Sequence, residues 1–121
     1  MSLITGIGDP AYEGYLEKKG GGTSTFGRRN YARRWFVLHN NVLSYFKTPD
    51  DKMPAGQVEL TGCRLETESS MKHDHHLTLH TANGRAFEVR VPPGTADAAQ
   101  VYADFKEAVR RIVVEVDEGE L

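Results

Sequence analysis

The chain has 121 residues, with 15 Lys plus Arg against 17 Asp plus Glu, a formal net charge of -2, 39% hydrophobic residues and a single cysteine. This length suits one soluble domain with its own core and leaves no room for two. Apolar runs such as Trp35 to Leu38 fall far short of the roughly 20 residues a membrane-spanning helix needs, and lone Cys63 rules out an internal disulfide or a multi-thiolate zinc site.

Residues 1–11 form an N-terminal extension with neither a basic start nor a sustained apolar stretch, so no secretory leader is expected and the cytoplasm is the expected compartment. Tyr12 to Lys19 reads as the first strand and breaks at Gly20-Gly21-Gly22, which opens a loop. Tyr31 to His39 and Val42 to Lys47 read as a hairpin across Asn40-Asn41, because Asn tolerates the positive dihedrals of tight turns. Pro49-Asp50-Asp51 and Pro54 mark a connection. Gln57 to Leu60, Arg64 to Glu68 and His76 to Thr81 follow as short strands, and Ala82-Asn83-Gly84 turns the last of them into Phe87 to Val91.

After Pro92-Pro93-Gly94 the apolar period lengthens to about 3.6 residues. Ala98, Val101, Tyr102, Phe105, Ala108, Val109, Ile112 and Val113 fall on one stripe of an amphipathic helix. Thr95 or Asp97 is expected to cap its start, and Arg110 and Arg111 to favour its end. Glu115, Asp117, Glu118 and Glu120 make residues 115–121 an acidic, solvated tail. The expected fold is mainly β with one C-terminal α-helix: a seven-stranded, bent antiparallel sandwich or partly open barrel over residues 12–114, capped by the helix.

The charge is unevenly distributed. From Lys18 to Lys47 the chain carries seven cations and no carboxylate, which suits a surface aimed at an anion. Catalytic signatures are absent: Gly20-Gly21-Gly22 lacks the following Gly-Lys-Ser/Thr of a phosphate loop, and Asp50-Asp51 is turn chemistry. His73, His75, His76 and His80 lack the spacing of a metal motif and read as surface histidines. No enzyme activity, cofactor or metal is expected.

The string Glu13-Gly14-Tyr15-Leu16-Glu17-Lys18-Lys19-Gly20, followed by Arg33-Arg34-Trp35-Phe36-Val37-Leu38, Val42-Leu43-Ser44-Tyr45-Phe46 and a terminal helix, resembles a pleckstrin homology (PH) domain. Its first three strands look most like the phosphoinositide-reading members of cytohesin type. The resemblance implies a seven-stranded sandwich with a capping helix, and a headgroup site at the open end opposite that helix. By position, it assigns headgroup contacts to Lys18, Arg34 and Tyr45, assisted by Lys19, Arg28, Arg29 and Lys52. The sequence departs from the pattern at Ala32, where the motif has a cation, and at Ala55, for which Lys52 is the substitute; Phe105 stands where the helix tryptophan is typical.

The function implied is a non-catalytic, monomeric module that brings a longer protein to a phosphoinositide headgroup or anionic membrane surface as a peripheral component. The alternative is the same fold used as a protein-interaction or scaffolding module, through an exposed sheet edge or the outer helix face. Nucleic-acid binding fits the charge but not the resemblance.

Overall fold

The computed structural model describes residues 8–20, 31–67 and 75–116. Its elements are β1 (Tyr12–Lys19), β2 (Tyr31–His39), β3 (Val42–Phe46), β4 (Gly56–Glu59), β5 (Arg64–Thr67), β6 (His76–His80), β7 (Ala86–Arg90), α1 (Ala98–Arg110) and β8 (Val114–Val116). The strands form one sheet in the order β4-β3-β2-β1-β7-β6-β5-β8, with β4 and β8 at its edges. The seven expected strands all pair antiparallel, and the sheet does not close.

Period-two patterning places the core. On β1 Leu16 points inward; on β2 Phe36 and Leu38; on β3 Leu43; on β6 Leu77 and Leu79; and on β7 Phe87 and Val89. The helical stripe closes over them through Phe105, Ala108 and Val109, with Phe105 set edge-on to Tyr12 at 5.0 Å and to Phe36 at 6.5 Å. Phe105 is 1% exposed and so fills the core role in which the resemblance has a tryptophan. The turns follow their residues: Asn40 and Asn41 take φ of 51° and 66°, and Gly84 takes 91°.

Three expectations are corrected. Beyond the helix, Glu115 and Val116 are not tail; they belong to β8, which pairs parallel with β5. Asp97 does sit at the helix start, but with φ 55° its carboxylate caps nothing. Its carbonyl accepts the first helical bonds instead, from the amides of Gln100 and Val101. His76 is not a surface histidine. It is 6% exposed, its Nε2 lies 3.2 Å from a Glu88 carboxylate oxygen, and its carbonyl accepts a bond from the Tyr102 hydroxyl at 3.1 Å.

β1 spans the whole sheet. Its N-terminal end meets the helix through Tyr12, while Lys18, six residues further on, lies about 20 Å away at a strand rise of roughly 3.3 Å per residue. The β3–β4 connection leads on towards that far end from Phe46, which pairs with Trp35 in the middle of β2, and the β6–β7 hairpin lies beyond it, because β7 runs antiparallel to β1 with Val89 opposite Lys18.

Candidate headgroup site at the open end

The rim residues follow from strand parity. Counting outward by twos from the core, Leu16 leads to Lys18, Phe36 to Arg34, Leu43 to Tyr45 and Phe87 to Arg85. Each of these four continues an inward-facing column beyond the point where apolar partners run out. The Lys18 ammonium lies 5.0 Å from the Tyr45 ring centroid and 5.5 Å from that of Phe87, and donates to the Lys19 carbonyl at 3.4 Å. The two rings tilt against each other at 5.7 Å and form an apolar floor under the charge. Tyr45 is fixed from below, because its hydroxyl sits so tightly over Gly56 that any side chain there would collide with it.

Electrostatics mark the same place. Partial burial, reinforced by the positive charges of Arg34 and then Arg85, holds the Lys18 ammonium below its ordinary value of 10.5. Like charges gathered at a half-buried rim cost stability, and a polyanion would relieve that cost. Arg34 also bonds the Arg33 carbonyl, 2.8 Å away, which leaves much of its donor fork open.

The structure brings together Lys18, Arg34 and Tyr45 of the sequence-derived set. Lys52 is exposed in the β3–β4 connection, beside Met53, which is 77% exposed. Arg28 and Arg29 lie outside the described residues. Ala32 stands directly across from Lys18 in the β1–β2 ladder, so the cation missing from the motif is missing at the cluster itself. Arg85 approaches it from the β6–β7 hairpin, and sequence reasoning missed this residue. The signal was present: Val89, Phe87 and Arg85 share one parity, and the Asn83-Gly84 turn immediately before Arg85 fixes that end of the strand.

Lys19 is not part of the cluster. Being one residue out of phase with Lys18, it faces the other side of the sheet, where its ammonium pairs with Glu88 at 3.2 Å. Burial pushes the Glu88 carboxyl up, but hydrogen bonds and charge from Lys19 and His76 outweigh it and hold the group below its usual 4.5. Stability from such a depressed carboxyl is present above its unfolded-state value and is lost as pH falls through the lower folded-state value. Glu88→Gln is therefore expected to be less stable than the parent at neutral pH and to converge on it in acid, read as denaturant midpoints across a pH series.

The sequence profile of the PH domain family matches residues 10–97, most of the chain. The chain belongs to that family. Human cytohesin-2 is 29% identical over 93 residues, which are 77% of this chain and 22% of cytohesin-2. Human sesquipedalian-1 is 43% identical over 53 residues, 44% of this chain and 19% of that protein. This PH domain thus spans about a fifth of each of those relatives. Among solved structures, the Slm1 PH domain in complex with inositol-4-phosphate superposes with a TM-score of 0.68 at 23% identity, covering 88% of this chain and 98% of that one. The C-terminal PH domain of pleckstrin in complex with an inositol pentakisphosphate gives 0.67 at 20% identity, covering 87% and 96%. Both likenesses support the fold. Among the described residues of the PH domain, no helix is long and apolar enough to cross a membrane.

Proposed function

We propose that this PH domain is a non-catalytic module that binds the phosphoinositide headgroup of an anionic membrane and so holds a longer parent protein peripherally at that membrane. The domain proper is residues 12–114. Lys18, Arg34 and Arg85 supply the charge and Tyr45 a hydroxyl. Arg28 and Arg29 in the segment joining β1 to β2, with Lys52 in the β3–β4 connection, add general attraction of about 1 kcal/mol per cation near an anionic leaflet. The observation that carries this reading is the gathering of Lys18, Arg34 and Arg85 at one partly buried rim, where burial first, and then the two arginines, hold the lysine below its ordinary value. Their inward parity gives the geometry, and the complexes of the Slm1 and pleckstrin PH domains with inositol phosphates give the chemical class.

The test is cosedimentation with vesicles carrying one phosphoinositide, against charge-matched phosphatidylserine vesicles. The parent is expected to bind the phosphoinositide in a salt-resistant way. Lys18→Ala/Arg34→Ala is expected to lose about 3 kcal/mol, or ~100-fold, corresponding to two charged hydrogen bonds. Equal binding to both vesicle types, unaffected by the double substitution, would defeat the assignment and leave the scaffolding alternative.

A further inference from the structure

The N-terminal half of β1 has an open edge. β1 pairs with β2 along its full length, but with β7 only at Glu17↔Arg90 and Lys18↔Val89. Continuing that register would set Tyr15 against Pro92 and Gly14 against Pro93, and proline has no N–H to give to a ladder. The chain turns away there, held by the Thr95 hydroxyl donating to the Pro92 carbonyl at 2.6 Å. On the β7 side of Tyr12 to Tyr15, the described residues supply no ladder partner, so alternate backbone donors and acceptors face a groove.

That groove has a volume of about 710 Å³, and its walls include Tyr12, Tyr15, Pro92, Pro93 and Val101. Glu13 and Asp104 also line it. Glu13 has no cation within ion-pair distance among the described residues, and Asp104 accepts only from Gln100 Nε2, at 2.7 Å. Glu13 and Asp104 continue into an adjoining hollow also lined by Glu107 and Arg111, which pair with each other at 3.3 Å. Two charges on these walls are already engaged. Arg33 stacks on the Tyr15 ring at 3.9 Å, and Glu17 is paired with Arg90 at 2.7 Å. Stacking leaves the Arg33 charge in place, but the carboxylates of Glu13 and Asp104 outnumber it, so the groove walls carry a small excess of negative charge, opposite in sign to the rim.

We propose that this groove takes an extended, Lys- or Arg-bearing segment of a partner protein, which adds a strand alongside Tyr12 to Tyr15. Strand addition uses the free backbone groups for affinity and the alternate side chains for selection. Alternate residues of the incoming segment would lie against Tyr12, Pro93 and Val101, while the intervening cations would reach Glu13 and Asp104. The surface is distinct from the rim, so a partner there leaves the headgroup cluster free.

The test is a titration of the isotope-labelled domain with the peptide Lys-Val-Lys-Val-Lys-Val-Lys, followed by amide chemical shifts and hydrogen exchange, with Glu-Val-Glu-Val-Glu-Val-Glu as the control. The basic peptide is expected to perturb Tyr12 to Leu16 and Asp104 and to slow exchange along β1, while the acidic one does neither. Glu13→Gln/Asp104→Asn, two exposed substitutions that leave the core untouched, is expected to weaken binding about fivefold, as for the loss of two exposed ion pairs. Lys18→Ala is expected to leave it unchanged. No binding, equal binding of the acidic peptide, indifference to the double substitution, or shifts confined to the Lys18 rim would each overturn the proposal.

Discussion

Lys18→Glu is expected to abolish phosphoinositide-vesicle binding while raising the thermal midpoint of the domain. The two effects have one origin. In the parent, an ammonium is held at a partly buried rim between Arg34 and Arg85, which depresses its proton affinity. A carboxylate at the same place would be attracted by both arginines and would remove the repulsion that a headgroup otherwise relieves. Binding should fall by more than the ~100-fold expected of the double alanine change, since repulsion from phosphate replaces attraction. Lys18→Met separates the contributions by keeping the aliphatic stem over Tyr45 and Phe87 without the charge. Its stability advantage is expected to be full at neutral pH and to shrink as pH rises through the lowered Lys18 value towards the ordinary 10.5, where the parent also becomes neutral. Calorimetry across pH, paired with cosedimentation, checks both signs. Loss of stability together with retained binding in Lys18→Glu would show that these cations do not form a ligand site.

Phe36→Ala is expected to cost about 3–5 kcal/mol, a large part of the stability of a domain this size. Phe36 is 0% exposed, and its ring meets Tyr45 at 5.7 Å, Phe87 at 6.5 Å and Phe105 at 6.5 Å. Its ring meets both the floor of the rim and the helix, so its removal should loosen the site as well as the core. Urea unfolding measures the loss. Phe36→Leu, which refills most of the volume, is expected to recover more than half of it. A loss below about 1 kcal/mol in the alanine variant would mean that the surroundings collapse into the space.

Much of this architecture is legible in the sequence because it rests on local rules. β1 and β2 fall where alternation and the glycine and asparagine breaks place them, and the Asn40-Asn41 and Asn83-Gly84 turns take the expected positive dihedrals. The helical stripe from Ala98 to Val109 lies against the core as its period requires, while Ile112 and Val113, expected on the same stripe, pack there from beyond the helix end at Arg110. What escaped depends on distant partners. Val-Glu-Val carries no mark that β5 awaits it, and a histidine at a strand start, with other histidines beside it in sequence, does not reveal that it will be buried with a half-buried Glu88 as its partner. Asp97 has a capping residue's chemistry, but it stands in a left-handed conformation at φ 55° and its side chain makes no capping bond.

The site divides in the same way. Lys18, Arg34 and Tyr45 came from their positions in the family motif and lie at one rim, whereas Lys19, assigned with them as an assisting cation, lies on the opposite face and pairs with Glu88. Arg85 obeys the same parity, but it lies 51 residues from Arg34 in the sequence, and only the β1–β7 ladder brings the two strand ends together.

Trp35 gives the molecule a built-in optical reporter with a defined field of view. It is the single tryptophan of the chain, on the outer face of β2 and edge-on to Tyr15 at 4.9 Å, and Tyr15 in turn carries the Arg33 guanidinium. Its emission is therefore governed by the Tyr15 side of the sheet, where the proline-bounded groove opens, and is screened by the sheet from the Lys18 cluster on the other face. Intrinsic fluorescence can thus watch one surface of this domain while remaining blind to the other.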